Sequence, residues 1–383
     1  MSKVNDLIKE LCPNGVKYKK IDEVCEKIYA GGTPSTTHEE YYNGNIKWLR
    51  SGEINFNELY DTEMKITEVG LNNSSAKIIP SHSVVIAMTG ATVARTAMVM
   101  EDMSMNQSVC ALEPNNEINY RFLYQVLTNK YFELKQSGQG VLTSLNLDRI
   151  KKIVIPVPPI EVQEEIARIL DKFGELEAEL EAELEARKSQ YEFWRGRLLN
   201  KEYEIKFLPE LATNLDNKRK PVTKSDRESG NYPYYGASGI VDYVSNYIFD
   251  DDLLLVSEDG ANLKARSTPI AFSSVGKVWI NNHAHVLKFN NMITQKYVEH
   301  YLNMIDLNEY ITGAAQPKLN QENLNKIRIN IPSSIEEQEK VVIALERFDK
   351  LINDINIGLP AEIELRRKQY EYYRNKLLSF EEV

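Results

Sequence analysis

Two sets of side chains in this sequence have the chemistry to grip a polyanion. Lys218, Arg219 and Lys220 stand together ahead of the turn "GASG", and Lys264 and Arg266 follow the turn "EDGAN". Ser238 and Asn262 lie within those turns, and Tyr235 directly precedes the first. Nearer the N-terminus, Lys47, Arg50 and Arg95 are interleaved with Ser35, Thr36, Thr37, Ser51 and Thr89. Guanidinium and ammonium groups suit phosphate oxygens and guanine edges, and small hydroxyls and amides suit other base edges. Taken singly, each of these residues reads as part of a solvated loop. The basic density falls short of a stand-alone nucleic-acid-binding domain, so a partner is expected to share the electrostatic work.

Residues able to make and break bonds are not arranged for it. The sequence has no GxxxxGK[ST] loop, no GxSxG elbow, no HExxH and no [DN]PP[YFW] tetrapeptide of an amino-methyltransferase. His283 and His285 alternate along a predicted strand and would share a face, but two ligands without a third do not make a metal site. Cys12, Cys25 and Cys110 lack CxxC spacing, which fits a reducing cytoplasm. The start "MSKVNDLIKE" is too polar for a secretory signal, and no apolar run approaches the ~20 residues of a membrane span. The pattern is that of a protein that binds and positions other molecules, with no catalytic residue of its own.

What must position the candidate contacts is a plan written twice. Gln163 in "PPIEVQEEIARIL" answers Gln338 in "SSIEEQEKVVIAL", an offset of 175. The same offset carries "RFLYQVL" (121–127) onto "KYVEHYL" (296–302) and Gly138 onto Gly313. "SLNLDRIKKIVIPVP" answers "KLNQENLNKIRINIP" at 174, and Arg187–Leu199 matches Arg366–Leu378 at 179 with seven of thirteen residues identical. Each half is a globular part followed by a long helix. Residues 1–159 hold 17 Lys/Arg against 18 Asp/Glu, and residues 201–334 hold 15 against 16. Residues 160–200 hold 6 against 11, and 335–383 hold 8 against 11. The net charge of −10 therefore sits mostly on the helices, leaving the globular parts near neutral.

The expected fold is α+β: two similar, mainly β or mixed globular domains, each followed by a long helix, with the helices packed antiparallel in pseudo-twofold symmetry. The expected divisions are 1–159, 160–200, 201–334 and 335–383. "SVVIAMTGA", "DLLLVSEDGA", "AMVMED" and "KVWINNHAHVLKF" read as strands, and Tyr120–Asn129 and Gln295–Met304 as short helices. The long helices open on acidic first turns after Pro158–Pro159 and Ser333–Ser334. Ile166, Phe173, Leu180 and Trp194 fall on one heptad position, and Leu170, Leu184, Tyr191 and Leu198 on the other. The first helix should run unbroken. The second should break near 358–360, because Gly358 and Pro360 disfavour a helix interior, with Pro360 opening a new helix. Phe193, Trp194, Tyr372 and Tyr373 are adjacent aromatics that cannot all face one helix, which marks them as docking candidates for a further partner.

In this order, twice over, the motifs "GGTPSTTHEEYYNGNIKWLRSGEI", "YPYYGASGIVDYV", "LLLVSEDGAN", "INNHAHVL", "TGAAQPKLN" and "PPIEVQEEIA…RKSQYEFWRGRLL" resemble the DNA-specificity subunit of type I restriction–modification enzymes. The resemblance covers essentially the whole chain. It implies two target recognition domains, each reading half of a split site in double-stranded DNA, and helical spacers that set the gap. It also implies two adenine methyltransferase (M) subunits docked on the spacers and using S-adenosylmethionine. Restriction/translocase (R) subunits with ATP and Mg would complete the complex, and this chain would hold no cofactor. The competing readings are a methyltransferase or nuclease with a fused recognition region, and a non-enzymatic coiled-coil adaptor without sequence recognition.

Overall fold

The computed structural model describes residues 2–136, 144–313 and 316–382. Gly138 of the repeat, and Ala314 and Ala315 of "TGAAQPKLN", lie outside the described residues. The chain forms two compact units: Met1–Glu179 with Ile363–Val383, and Leu180–Glu362.

In the first unit, strands β1 (Cys25–Ala30), β2 (Glu58–Leu59), β3 (Val84–Ala87), β4 (Thr96–Val99) and β5 (Val109–Pro114) form one sheet in the order β1-β5-β3-β4-β2. In the second unit, β6 (Ala212–Asn214), β7 (Leu253–Ser257), β8 (Ala271–Ser274) and β9 (Ala284–Phe289) form a sheet in the order β6-β9-β7-β8. The first four strands of one order match the other. Each unit adds a second sheet in which one pair of strands runs parallel, Trp48 opposite Ser104 in one and Tyr234 opposite Trp279 in the other. Each also closes with a two-stranded pair, Lys17–Lys20 on Val154–Val157 and Glu204–Phe207 on Arg328–Ile331. β3 and β7 are buried at every position, as expected of apolar runs that face a core on both sides.

Helix α1 (Tyr120–Asn129) is capped by Asn119, α2 spans Ile160–Leu199 without a break, α3 (Met292–Met304) is capped by Asn291, and α4 and α5 span Ile335–Asn353 and Leu359–Leu377. The expected helix from Gln295 thus begins three residues earlier. α4 ends where Asp354–Gly358 turns the chain, and Pro360 is the second residue of α5. A Cβ at Gly358 would lie 2.7 Å from the carbonyl oxygens of Lys350 and Asp354, so only glycine passes there.

The stripes on α2 divide between the units. Ile166 and Leu170 join the core of the first unit with Phe122, Leu123, Val126 and Leu127 of α1 and Leu377 of α5. Phe173 stacks on Tyr370 and Tyr373, and Arg367 pairs with Glu177, so α2 and α5 run antiparallel within this unit. Tyr191 and Leu199 join the second core with Val298 and Leu302 of α3 and Val341 and Leu345 of α4. Each buried leucine of this kind contributes about 1.5–3 kcal/mol. Trp194, which shares a heptad position with Ile166, is instead exposed.

The two buried glutamines of the repeat explain why the helices start where they do. Gln163 accepts from Asn119 N–H (2.8 Å) and donates to the carbonyls of Pro158 (2.7 Å) and Glu117 (2.9 Å). Gln338 accepts from Thr294 Oγ1 (2.8 Å) and donates to Pro332 O (2.7 Å). Each ties the first turn of a long helix to the short helix of its own unit.

Candidate nucleic-acid interface

In the first unit, the loop 31–37 is clamped from beneath. Trp48 Nε1 donates to Gly32 O (3.1 Å) and Tyr42 Oη to Pro34 O (2.6 Å). Ser35, Thr36 and Thr37 stand exposed above it, the Ser35 and Thr37 hydroxyls 2.8 Å apart. The loops 50–57 and 88–95 are brought together: Thr92 Oγ1 donates to Ser51 O (2.9 Å) and Arg95 Nη1 to Asn55 Oδ1 (2.8 Å). This assembles Arg50, Ser51, Thr89 and Arg95. Arg50 also meets Glu53 and Glu63, and Lys47 is held by Glu101 and the Tyr60 carbonyl.

Residues absent from the sequence reading join this cluster. Tyr131 meets Phe56 edge-on at 5.1 Å, and Lys135 donates to its hydroxyl at 2.9 Å. Lys135, with Arg95 as a smaller contribution, holds the Tyr131 hydroxyl below the usual tyrosine range. Beside it Phe132 is 71% exposed. The signal was an aromatic pair between lysines in "NKYFELK", which a helix reading passes over.

In the second unit, Lys218, Lys220, Ser238 and Lys264 are exposed. Tyr235 is half-buried and stacks on Phe272 at 6.0 Å. Asn262 ties its own loop, accepting from Ser267 Oγ (3.0 Å) and Thr268 N–H (3.1 Å). Arg266, in the left-handed region at φ 51°, donates to the carbonyls of Leu302 (3.1 Å) and Ile305 (2.9 Å) at the end of α3. Arg219 turns inward to Glu258, to Asp216 at 3.5 Å and to Ala284 O at 2.9 Å. These two guanidiniums are engaged by the protein itself. A group missed in the sequence comprises the half-buried Tyr232 and Tyr247, 5.1 Å apart, with Nζ of the exposed Lys277 4.8 Å from the Tyr247 ring.

His283 and His285 do not share a face, contrary to the sequence expectation. Asn281 Oδ1 accepts from His283 N–H (2.8 Å), and this turn holds His283 outside β9, where it pairs with Asp259 at 2.8 Å. His285 is buried, with Nδ1 2.6 Å from Asp216 and Nε2 2.7 Å from Leu319 O. Asp216, Glu258 and His285 offer ligand atoms within 4.8 Å of one another. Arg219 already bridges the two carboxylates and Lys318 lies 3.2 Å from Glu258, so the cluster is neutralised by its own cations. Burial opposes ionisation of Asp216, but His285 and the Val286 N–H outweigh it and hold the carboxyl below its usual range.

Of the docking candidates, Phe193, Trp194 and Tyr372 are exposed, with Arg197 over the Trp194 ring at 5.6 Å and Lys376 over Tyr372 at 5.9 Å. Tyr373 faces Phe173 within the first unit. Among the described residues, no helix is long and apolar enough to cross a membrane.

A duplicated mixed-sheet domain with half of a long helix attached to each copy defines a class, and the sequence falls in it. The family model of the type I restriction modification DNA specificity domain matches residues 13–186 and again 200–365. The chain belongs to this family of DNA-specificity subunits, the non-catalytic components of type I restriction–modification enzymes. It is 30% identical over 356 residues to the EcoprrI specificity subunit of Escherichia coli, covering 85% of this chain and 86% of that protein. It is 38% identical over 201 residues to a putative specificity subunit of Haemophilus influenzae, about half the length of each. The crystal structure of an S subunit from M. genitalium superposes with a TM-score of 0.59 at 14% identity, over 96% of this chain and 97% of that one. A structure from work on complex assembly and conformational transition of the type I R-M system gives 0.61 at 14% identity, over 96% and 98%. The fold is shared where the sequence has diverged.

Proposed function

We propose that each recognition domain reads one half of a bipartite site in double-stranded DNA, that the helices set the gap, and that they dock two adenine methyltransferase subunits. S-adenosylmethionine would then belong to those subunits, and ATP and Mg to the restriction/translocase subunits that complete a cytoplasmic complex. The observation that carries this reading is the repetition of one strand order in two units, each with its own cluster of basic and hydroxyl side chains. Arg50, Ser51, Thr89, Arg95, Lys218, Lys220, Ser238 and Lys264 are assigned to contact, while Arg219, Asn262 and Arg266 hold the loops that present them. Phe193 and Trp194 in the second unit and Tyr372 in the first supply docking aromatics, each on its own unit.

Exchanging residues 201–334 for the matching region of a relative should change one half of the methylated motif and leave the other intact. The check is a map of methyl-adenine in cells carrying the hybrid; a change in both halves would overturn modular reading.

A further inference from the structure

The second sheets of the two units differ at one edge. In the first unit the strand Tyr42–Leu49 is flanked by Lys65–Ile66, and Ile66 is buried with Trp48 and Ala76 while Leu71 packs on them. The chain after Ile66 thus folds back over that edge. In the second unit the corresponding strand is Gly239–Val244, the outer arm of a hairpin with Ser229–Gly236. This strand stays uncovered: Ile240, Val241 and Tyr243 are 47%, 56% and 51% exposed. The pairing shifts so that Val241 is an extra residue between the pairs Tyr235–Ile240 and Tyr234–Asp242. Such a bulge re-aims side chains, and here it leaves two adjacent aliphatic groups in solvent.

An uncovered apolar edge invites unwanted pairing, and proteins blunt it with charge, proline or a cover. The one charged residue of this strand, Asp242, is paired, with Arg227 Nη1 donating to it at 3.1 Å. Arg227 first, then the Tyr243 N–H and the charge of Lys224, hold its carboxyl below the usual range. The rim of the hairpin is cationic. Lys220 is pinned over the same sheet, its carbonyl accepting from Trp279 Nε1 (2.6 Å) and its N–H donating to Ile280 O (3.3 Å). The side chains of Lys220, Lys224 and Ser238 are exposed. The neighbouring carboxylates are engaged, Glu228 accepting from Ser245 Oγ (3.0 Å) and Asp226 from Thr223 Oγ1 (2.7 Å). A two-stranded ribbon fits the major groove of B-DNA, about 12 Å wide. There lysines meet phosphates, and the apolar group that a base pair presents is the thymine C5-methyl. Aliphatic side chains without donor or acceptor have no other feature to read on a duplex.

We propose that the hairpin Ser229–Val244 enters the major groove and that Ile240 and Val241 contact thymine methyl groups, as specificity-determining residues of the second recognition domain. This rests on the bipartite reading above.

The test uses the full chain assembled with its methyltransferase subunits and a duplex carrying the mapped methylation motif. Each thymine of the half-site assigned to residues 201–334, on either strand, is replaced in turn by deoxyuridine, which lacks only the methyl group. At least one replacement should weaken binding about fourfold, the worth of one buried methyl. Ile240→Ala/Val241→Ala should bind the thymine duplex about tenfold more weakly than wild type and no longer distinguish it from the deoxyuridine duplex. Wild-type complex that binds every deoxyuridine duplex as tightly as the thymine duplex overturns the proposal, as does a half-site without thymine. A folded variant that still distinguishes the two duplexes overturns the assignment to Ile240 and Val241. A variant with an unchanged melting temperature that fails to assemble by size-exclusion makes the strand a protein-docking edge and overturns it too. If exchange of residues 201–334 changes both halves of the motif, the bipartite reading falls. Deoxyuridine placed through the whole motif, with wild type and variant compared, then still decides whether this strand reads a methyl group.

Discussion

The sheets of the two recognition domains place different chemistry at the same points of one scaffold. Cys110 of β5 lies opposite Ile86 and Ala30, and His285 of β9 lies opposite Val256. Leu145 N–H donates to Met88 O at 2.8 Å, as Leu319 N–H donates to Glu258 O at 2.7 Å. So Ala30, Met88 and Cys110 in the first domain correspond to Asp216, Glu258 and His285 in the second. One domain closes this corner with apolar contacts. The other uses an ionic network completed by Arg219. The fold needs the strand order and the filled volume; it accepts either means of filling. The network also anchors the loop that carries Lys218 and Lys220, which apolar contacts would leave to its own turn.

The largest difference should appear when each corner is broken. His285→Ala leaves the buried Asp216 carboxylate and the Leu319 carbonyl without their imidazole partner and should cost about 3–5 kcal/mol. Cys110→Ala removes one small buried group and should cost about 1 kcal/mol. Denaturant unfolding of the full chain, followed by domain-specific proteolysis, separates the two; equal losses would mean that the ionic corner stabilises no more than the apolar one.

A second contrast lies on the helices. Tyr373→Glu would put a charge against Phe173 and should unfold the first unit's helix pair, whereas Trp194→Glu, on an exposed ring, should leave the melting temperature within about 2 °C and still impair assembly with the methyltransferase. Size-exclusion chromatography and thermal unfolding of both variants provide the check. Full assembly by Trp194→Glu would remove that docking face.

The smallest effect is on pH. Burial, only partly offset by Asp349, lowers the His300 pKa from 6.5 to about 4. The unfolded chain therefore takes up a proton between pH 6.5 and 4 that the folded chain refuses, so stability of the second unit is complete above 6.5 and eroded as pH falls to about 4. Gln125 occupies this position in the first unit and does not titrate. His300→Gln should flatten the slope in that window, as measured by unfolding free energy against pH; an unchanged slope would assign it elsewhere. Asp216 and Glu258, held below the usual carboxylate range, withdraw their contribution only at more acid pH still.

Local and repeated features were legible because they depend on chain neighbours. The duplication, the unbroken α2, the strands ending at glycine and the turn at Gly358 follow from periodicity and from what glycine and proline do to a backbone. The partners of individual side chains were not legible. Arg219 stands beside Lys218 and Lys220 in sequence, yet a 3₁₀ turn at Asp216–Lys218 sends it inward to Glu258, 39 residues away. Arg266 reads as one more loop cation until α3 brings two free carbonyls beside it. Trp194 and Tyr373 carry the same heptad signature, and only packing made one exposed and the other a partner of Phe173. Sequence by itself determined that there are two copies of one domain, each followed by a long helix. Tertiary structure decided which cations are free for a ligand, because that depends on which carboxylates and carbonyls the fold brings within hydrogen-bond reach, and spacing along the chain does not encode it.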